Sequence, residues 1–194
     1  MKEDVLEQIV DDYLNLQGYF TTHNIPFRPT KSHPKYDSQL DSVPSDIDIL
    51  GIHPRRRGKE RVVAINCKSW QGGFRDKLLL EQLREERKNP KKETWHRFRE
   101  LWIPKWSEAF RQEIYERTGA KSFTYRIAVT RLIGTGDGWV NEPRIRQNLP
   151  GCKFGFLPME DMWTTVLREL TKRPAPSEIG RLAQLLKAAG LTAA

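Results

Sequence analysis

The sequence predicts a mixed α/β fold in which helices flank a central β-sheet. Short runs rich in β-branched residues alternate with segments whose apolar residues recur at helical spacing. The strand-like runs come in two groups, and helical segments precede, separate and follow them. The order helix, three strands, helices, two strands, helix is typical of a mixed sheet with helices packed on its faces.

The length of the chain limits how many domains it can form. Its 194 residues, of which 38% are hydrophobic, are enough for one domain with a buried core. We expect that domain to span residues 1–173, followed by a linker and a short C-terminal helix over residues 174–194. The two cysteines, Cys67 and Cys152, are too few for a disulfide framework and do not form a metal-type pair.

The composition favours a cytoplasmic protein with a basic surface. The N-terminal residues do not resemble a signal peptide, and no apolar run approaches the roughly 20 residues that cross a bilayer. We therefore expect no membrane association. The net charge of +8 leaves three interpretations open: binding of nucleic acid, binding of an acidic partner, or a plain basic surface.

The first part of the chain predicts one helix and three strands. The helix ends at Gly18, and its buried face is predicted to comprise Leu6, Ile9, Val10, Tyr13 and Leu14. A strand over residues 19–28 follows, with Pro26 marking an edge or a bulge. A polar loop leads to strands at 45–52 and 61–70, which a basic turn connects.

The second part of the chain predicts more helices and two further strands. Helices are predicted over residues 77–88, from Trp95 to Trp102, from Pro104 to Gly119, over residues 159–170, and after Ser177 as N-cap. Strands are predicted over 122–133 and 152–157, with a flexible glycine-rich loop at 134–138. In the last helix, Ile179, Leu182 and Leu186 are predicted to face inward.

The strands at 45–52 and 61–70 carry the polar residues with the clearest chemistry. Alternation along a strand puts Asp46 and Asp48 on one face, and Asn66 and Lys68 on one face of the next strand. If the two strands pair as a hairpin, a carboxylate and an ammonium group converge. Carboxylates are ligands that Mg²⁺ prefers, and a lysine can hold or deprotonate an attacking water or stabilise negative charge. This combination suits hydrolysis of a phosphodiester.

These residues resemble the PD-(D/E)xK nuclease superfamily, whose motif is a helical Glu, a strand Asp and an acid-x-Lys tripeptide. The corresponding residues are Glu7, Asp48 and Asn66-Cys67-Lys68. The sequences Ile47-Asp48-Ile49 and Asn66-Cys67-Lys68-Ser69-Trp70 are most similar to the Mrr-type branch of restriction endonucleases. The resemblance extends to the closing strand and amphipathic helix and implies a restriction-endonuclease-like fold.

The resemblance also implies an activity and a role for each residue. It implies a DNA endonuclease that depends on Mg²⁺, with Mn²⁺ as the alternative ion. Asp48 would be the principal metal ligand, Asn66 a weaker ligand, Glu7 an auxiliary ligand, and Lys68 the water-activating or charge-stabilising group. Most members carry an acid where this chain has Asn66, and a neutral amide binds a cation less strongly. The residues themselves leave alternatives to metal binding. Glu7 can be an acid that stabilises the helix dipole, and Asp46 can be a solvated acid in a turn.

Basic residues in two segments are candidates for contacts with DNA phosphates. They are Arg55, Arg56, Arg57 and Lys59 in the turn of the hairpin, and Arg144 and Arg146 after the glycine-rich loop. A solvated hairpin tip is the alternative for the first group. The four histidines show no metal-binding spacing, and Cys67 is predicted to be a small core residue.

Two other functions stay open from the sequence. One is a catalytically inactive DNA-binding module on the same fold. The other is a protein-interaction module that uses the tryptophan-rich helices and the C-terminal helix, with a homodimer as its simplest product.

Overall fold

A five-stranded mixed sheet forms the centre of the protein, as a computed structural model of residues 4–85, 94–170, 175 and 177–191 describes it. Its strands, in the order in which they neighbour each other, are β1 (Phe20–Phe27), β2 (Ser45–Ile52), β3 (Val62–Lys68), β5 (Thr124–Val129) and β7 (Lys153–Pro158). The first three are antiparallel, and β3, β5 and β7 are parallel. The predicted α/β class, hairpin and edge position of β1 are confirmed.

Helices cover both faces of this sheet. The described helices are α1 (Val5–Leu16), α2 (Asp76–Arg84), α3 (Arg99–Trp102), α4 (Pro104–Thr118), α5 (Asp137–Val140), α6 (Pro143–Asn148), α7 (Met159–Glu169) and α8 (Glu178–Ala188). One core lies between the sheet and α2 to α6, and a second lies between the sheet and α1 with α7. No helix among the described residues is long and apolar enough to cross a membrane.

The predicted strand over 122–133 is two separate strands. The first, β5, ends at Val129, where the chain turns and the Thr130 hydroxyl donates to the Trp70 carbonyl at 2.5 Å. The second, β6 (Leu132–Ile133), pairs in parallel with β4 (Phe74–Arg75) in a small sheet of its own. The sequence does not reveal this break, because Leu132 and Ile133 resume the strand-like composition after only two intervening residues.

Two short helices follow β6, where the sequence predicted a loop over residues 134–138 and a basic stretch. Residues 134–136 form that loop, and α5 begins at Asp137. Helix α5 begins after Gly136, whose φ of 76° and close approach to the Phe156 ring would not admit a Cβ. Helix α6 begins at Pro143, which fits the first helical position because it needs no N–H partner. For the helix predicted over residues 77–88, the structure shows α2 ending at Arg84, and the last predicted residues lie outside the described part of the chain. Most of the predicted linker also lies outside it.

Helix α8 packs against α1 and α7. The Ser177 hydroxyl caps it by accepting from the Gly180 N–H at 2.8 Å and donates to an Asp12 carboxylate oxygen at 2.5 Å. The prediction that Leu182 faces inward is wrong, because this side chain is 49% exposed. Gly180 and Ala183 are the buried residues of this helix. A Cβ at Gly180 would lie only 2.7 Å from the Ala175 Cβ, so this position has no room for a larger side chain.

Candidate functional site

A cleft of about 680 Å³ opens at the edge of the sheet where β2 begins and β3 ends. The two strands and the residues that follow β3 contribute Asp46, Asp48, Asn66, Lys68, Ser69 and Trp70 to its walls. The segment before α3 and its first residue contribute His96, Arg97 and Arg99. The structure therefore brings together Asp48, Asn66 and Lys68, three of the four residues predicted for catalysis.

Asp48 lies where the β2 strand is irregular. The β1–β2 ladder is interrupted at Asn24, whose φ is +52°, and at Asp48 opposite it. As a result Ile47 and Ile49, two residues apart, pack into the cores on opposite faces of the sheet. Simple alternation, which predicted a shared face for Asp46 and Asp48, does not hold across this point.

The Asp48 carboxylate is half-buried and only partly satisfied. Burial raises its pKa, while the charge of Lys68 and a hydrogen bond from the Cys67 N–H act to lower the pKa. That N–H donates to Oδ2 at 2.5 Å. Oδ1 has no hydrogen-bond partner among the residues described. One oxygen thus anchors the side chain to β3, and the other is free to act as a ligand.

Asn66 holds an unsatisfied acceptor beside this carboxylate. The side chain is 4% exposed, and its Nδ2 donates to the Asp46 carbonyl at 3.2 Å, which fixes the orientation of the amide. Oδ1 is buried and has no partner within the described part of the chain. A buried polar atom without a partner costs about 1–3 kcal/mol. A cation or a water molecule bound at Oδ1 would remove that cost.

Lys68 is the last residue of β3 and lies near two carboxyl groups. It faces Val129 across the parallel ladder, and its charge acts on both Asp48 and Glu100. The residue is half-buried and lines the cleft. The catalytic role of Lys68 stays a prediction.

Glu100 is a group near the site that the sequence did not indicate. Its side chain is 2% exposed, and the Tyr125 hydroxyl donates to its Oε1 at 2.5 Å. Burial raises the pKa of Glu100, and the positive charge of Lys68 partly offsets that rise. The signal available in the sequence was a carboxylate between the apolar residues Phe98, Leu101 and Trp102, where a buried acid needs a partner.

An acid at the start of α1 other than the predicted Glu7 contacts a residue of the cleft. Glu7 is not among the residues that line the cleft, and its charge acts on the Cys67 thiol, whose pKa is raised chiefly by burial. Asp4, the N-cap of α1, accepts a hydrogen bond from the cleft residue Ser69, and its charge acts on Asp48. The auxiliary role of Glu7 stays a prediction.

The basic residues predicted to contact DNA are not among those that line the cleft. The turn that carries Arg55, Arg56, Arg57 and Lys59 is at the opposite end of the hairpin, and the seven residues of β3 separate the two ends by about 20 Å. Arg146 and Lys59 line a second cavity near the start of β7. Arg144 lies over the Trp102 ring and donates to the Trp102 carbonyl at 3.0 Å.

A divalent cation fits the residues at the cleft, although few of them would bind it directly. The described residues include no group of three His, Cys, Asp or Glu side chains placed to hold a metal. Mg²⁺, however, is often held by one or two protein carboxylates, with water molecules completing its shell. Asp48 Oδ1 and the unpartnered Asn66 Oδ1 supply one charged and one neutral oxygen ligand of this kind.

No protein-family model, curated protein or solved structure matches this chain. Any function assigned to it must therefore be supported by the residues of the cleft and their geometry.

Proposed function

We propose that the protein is a divalent-metal-dependent DNA endonuclease with a weakened metal site and a restriction-endonuclease-like fold, acting in the cytoplasm. The observation that carries this proposal is the convergence of Asp48, the unpartnered Asn66 Oδ1 and Lys68 in one cleft. The three-stranded parallel part of the sheet, with an antiparallel hairpin beside it, supports the fold assignment.

Each side chain of the cleft would have a separate role in phosphodiester hydrolysis. When bound, Mg²⁺ or Mn²⁺ would neutralise phosphate charge and lower the pKa of a water molecule. Asp48 and Asn66 would hold the ion, and the hydrogen bond from the Cys67 N–H keeps Asp48 in position. Lys68 donates from its ammonium group to the attacking water or to an oxygen of the phosphate as negative charge develops.

Cleavage of supercoiled plasmid tests this proposal. Wild-type protein with Mg²⁺ or Mn²⁺ is expected to produce nicked and linear DNA, and EDTA is expected to stop the reaction. Asp48→Ala and Lys68→Ala should each reduce the rate at least 100-fold, while Lys121→Ala, at an exposed position between α4 and β5, should not. If the wild type, Asp48→Ala and Lys68→Ala all give the same trace of nicking, the proposal that the protein is a nuclease is refuted.

A catalytically silent DNA-binding module is the second candidate. The observation in its favour is the neutral Asn66, which leaves Asp48 as the one charged ligand that we assign to the ion. Asn66→Asp adds a carboxylate at almost the same size and discriminates between the two candidates. Faster cleavage by this variant at limiting metal indicates a nuclease site, and unchanged DNA binding without cleavage indicates the silent module.

A further inference from the structure

We propose that Arg97 and Arg99 form a phosphate-binding wall of the cleft, which holds the sugar–phosphate backbone of the nucleic acid beside Asp48. This inference rests on the proposed function, because it assigns the surface by which the same cleft would bind its substrate. It also replaces the basic hairpin turn as the principal contact. The ligand is a phosphodiester, from either a single strand or a duplex.

Arg97 is held in place without using its hydrogen-bond donors. Its Cζ lies 5.3 Å from the centre of the Trp70 ring, and Trp70 stacks on Phe74 with centroids 5.6 Å apart and planes at 4°. The Arg97 side chain is exposed and makes no hydrogen bond or ion pair with the other described residues. A guanidinium group has five N–H donors in a fixed planar arrangement that matches phosphate oxygens.

Arg99 is fixed more deeply in the same wall. Its Cζ lies 4.6 Å from the centre of the Trp106 ring, and its Nη1 donates to the Val43 carbonyl at 3.1 Å. The Trp106 ring is fully buried, and its Nε1 donates to Asp41 at 3.0 Å. The Nε of Arg99 is buried and has no partner among the described residues. Like the Asn66 oxygen, this donor has no partner, and a bound ligand could supply one.

Charge in the cleft explains why such a wall is needed. In the metal-free cleft, Asp46 and Asp48 repel a phosphate, and the charge of Lys68 balances one of these two charges. Two guanidinium groups add two positive charges that no carboxylate of the described residues pairs within 4.0 Å. By contrast, Arg56 at the hairpin turn donates to the Tyr19 hydroxyl at 2.9 Å and to the Gln17 side chain at 3.1 Å. Both of its terminal nitrogens already donate within the protein.

Binding of labelled oligonucleotides tests the inference on an Asp48→Ala background, in which cleavage does not interfere. The probes are a 20-nucleotide single strand and its duplex, each titrated at several salt concentrations. Arg97→Gln/Arg99→Gln should weaken binding at least 10-fold and reduce the magnitude of the salt slope by about 1–2, because each phosphate contact releases counterions. Arg55→Gln/Arg57→Gln removes the same net charge at the far end of the hairpin and should weaken binding less than threefold.

Thermal melting checks that each variant folds. Arg97→Gln alone, at an exposed position, should still weaken binding about threefold.

The outcomes separate this inference from the proposed function. Binding that depends on Arg97 and Arg99 in a wild-type protein that does not cleave would support the wall and refute the nuclease. Cleavage and binding that are unaffected by Arg97→Gln/Arg99→Gln would refute the wall and leave the nuclease intact. A larger loss from Arg55→Gln/Arg57→Gln, or no binding of either probe at low salt, would also overturn the wall. The probe that loses more affinity identifies a single strand or a duplex as the preferred source of the phosphates.

Discussion

Asp48 combines a structural cost with a proposed functional role. Burial raises the pKa of this carboxyl, although Lys68 and the Cys67 N–H favour the ionised form. An ionised group with a raised folded-state pKa destabilises the folded protein at neutral pH. The cost is consistent with a residue retained for binding a cation rather than for stability.

Asp48→Asn should therefore raise the melting temperature of the metal-free protein at pH 7.5. The penalty from the ionised carboxylate is fully present above the folded-state pKa and is lost as the pH falls through it, so the gain should vanish below about pH 4. Melting followed by circular dichroism in EDTA measures this difference. Asp46→Asn, at an exposed carboxylate of the same cleft, is the matched control and should change little. A lower melting temperature for Asp48→Asn would show that the carboxylate stabilises the fold.

The loop between β1 and β2 is fixed to α4 by one buried carboxylate. Asp41 is fully buried, accepts from the Lys105 ammonium at 2.5 Å and from the Trp106 indole at 3.0 Å, and also accepts from the Asp37 N–H at 2.8 Å. Burial opposes its ionisation, but these hydrogen bonds and the charge of Lys105 outweigh burial and lower its pKa. Since Trp106 also supports Arg99, this loop stabilises one wall of the cleft.

Asp41→Asn should destabilise the protein by about 2 kcal/mol at pH 7, the size expected for lost hydrogen bonds to a charged group. A lowered folded-state pKa stabilises above the unfolded pKa of about 3.9, and the stabilisation is lost as the pH falls through the folded-state value. The two proteins should therefore converge in acid. Urea unfolding at pH 7 and at pH 3 measures both free energies. A difference that is the same at the two pH values would contradict the ionised Asp41.

Elements with strong periodicity could be predicted from the sequence, whereas contacts between distant segments could not. The stripes of α1 and α7 and the hairpin of β2 and β3 follow local apolar spacing, so the sequence predicted them. Helices α5 and α6 carry glycine and arginine in place of an apolar stripe, and they were missed. Arg99 and Glu100 lie near Lys68 and Asp48 through tertiary packing of a segment distant in the sequence, for which no local pattern exists.

At the scale of the whole molecule, the cleft lies between the sheet and the segment that leads into α3. Helix α8 packs against α1 and α7 instead. In the last helix, α8, the small residues Gly180 and Ala183 are the buried ones. The larger Leu182 and Leu185 are 49% and 68% exposed. The predicted homodimer, if it forms through these leucines, would leave the cleft open.

A chain shortened to residues 1–173 should fold with a lower melting temperature, because the surface of α1 that α8 covers becomes exposed. DNA binding should be kept, since no described residue of α8 reaches the cleft. Circular dichroism and oligonucleotide titration measure the two properties, and light scattering compares the mass of both chains. An unfolded 1–173 chain would show that α8 belongs to the domain, against the predicted boundary at residue 173.

The central claim is that Asp48 and Asn66 hold a divalent cation next to Lys68. Anomalous diffraction from crystals soaked in Mn²⁺ measures this directly, because the scattering identifies the ion and its ligands together. We expect a peak in contact with the Asp48 carboxylate and the Asn66 Oδ1 in the wild type, and none at that position in Asp48→Asn. A wild-type cleft without a peak, or a peak that persists in Asp48→Asn, would contradict the account.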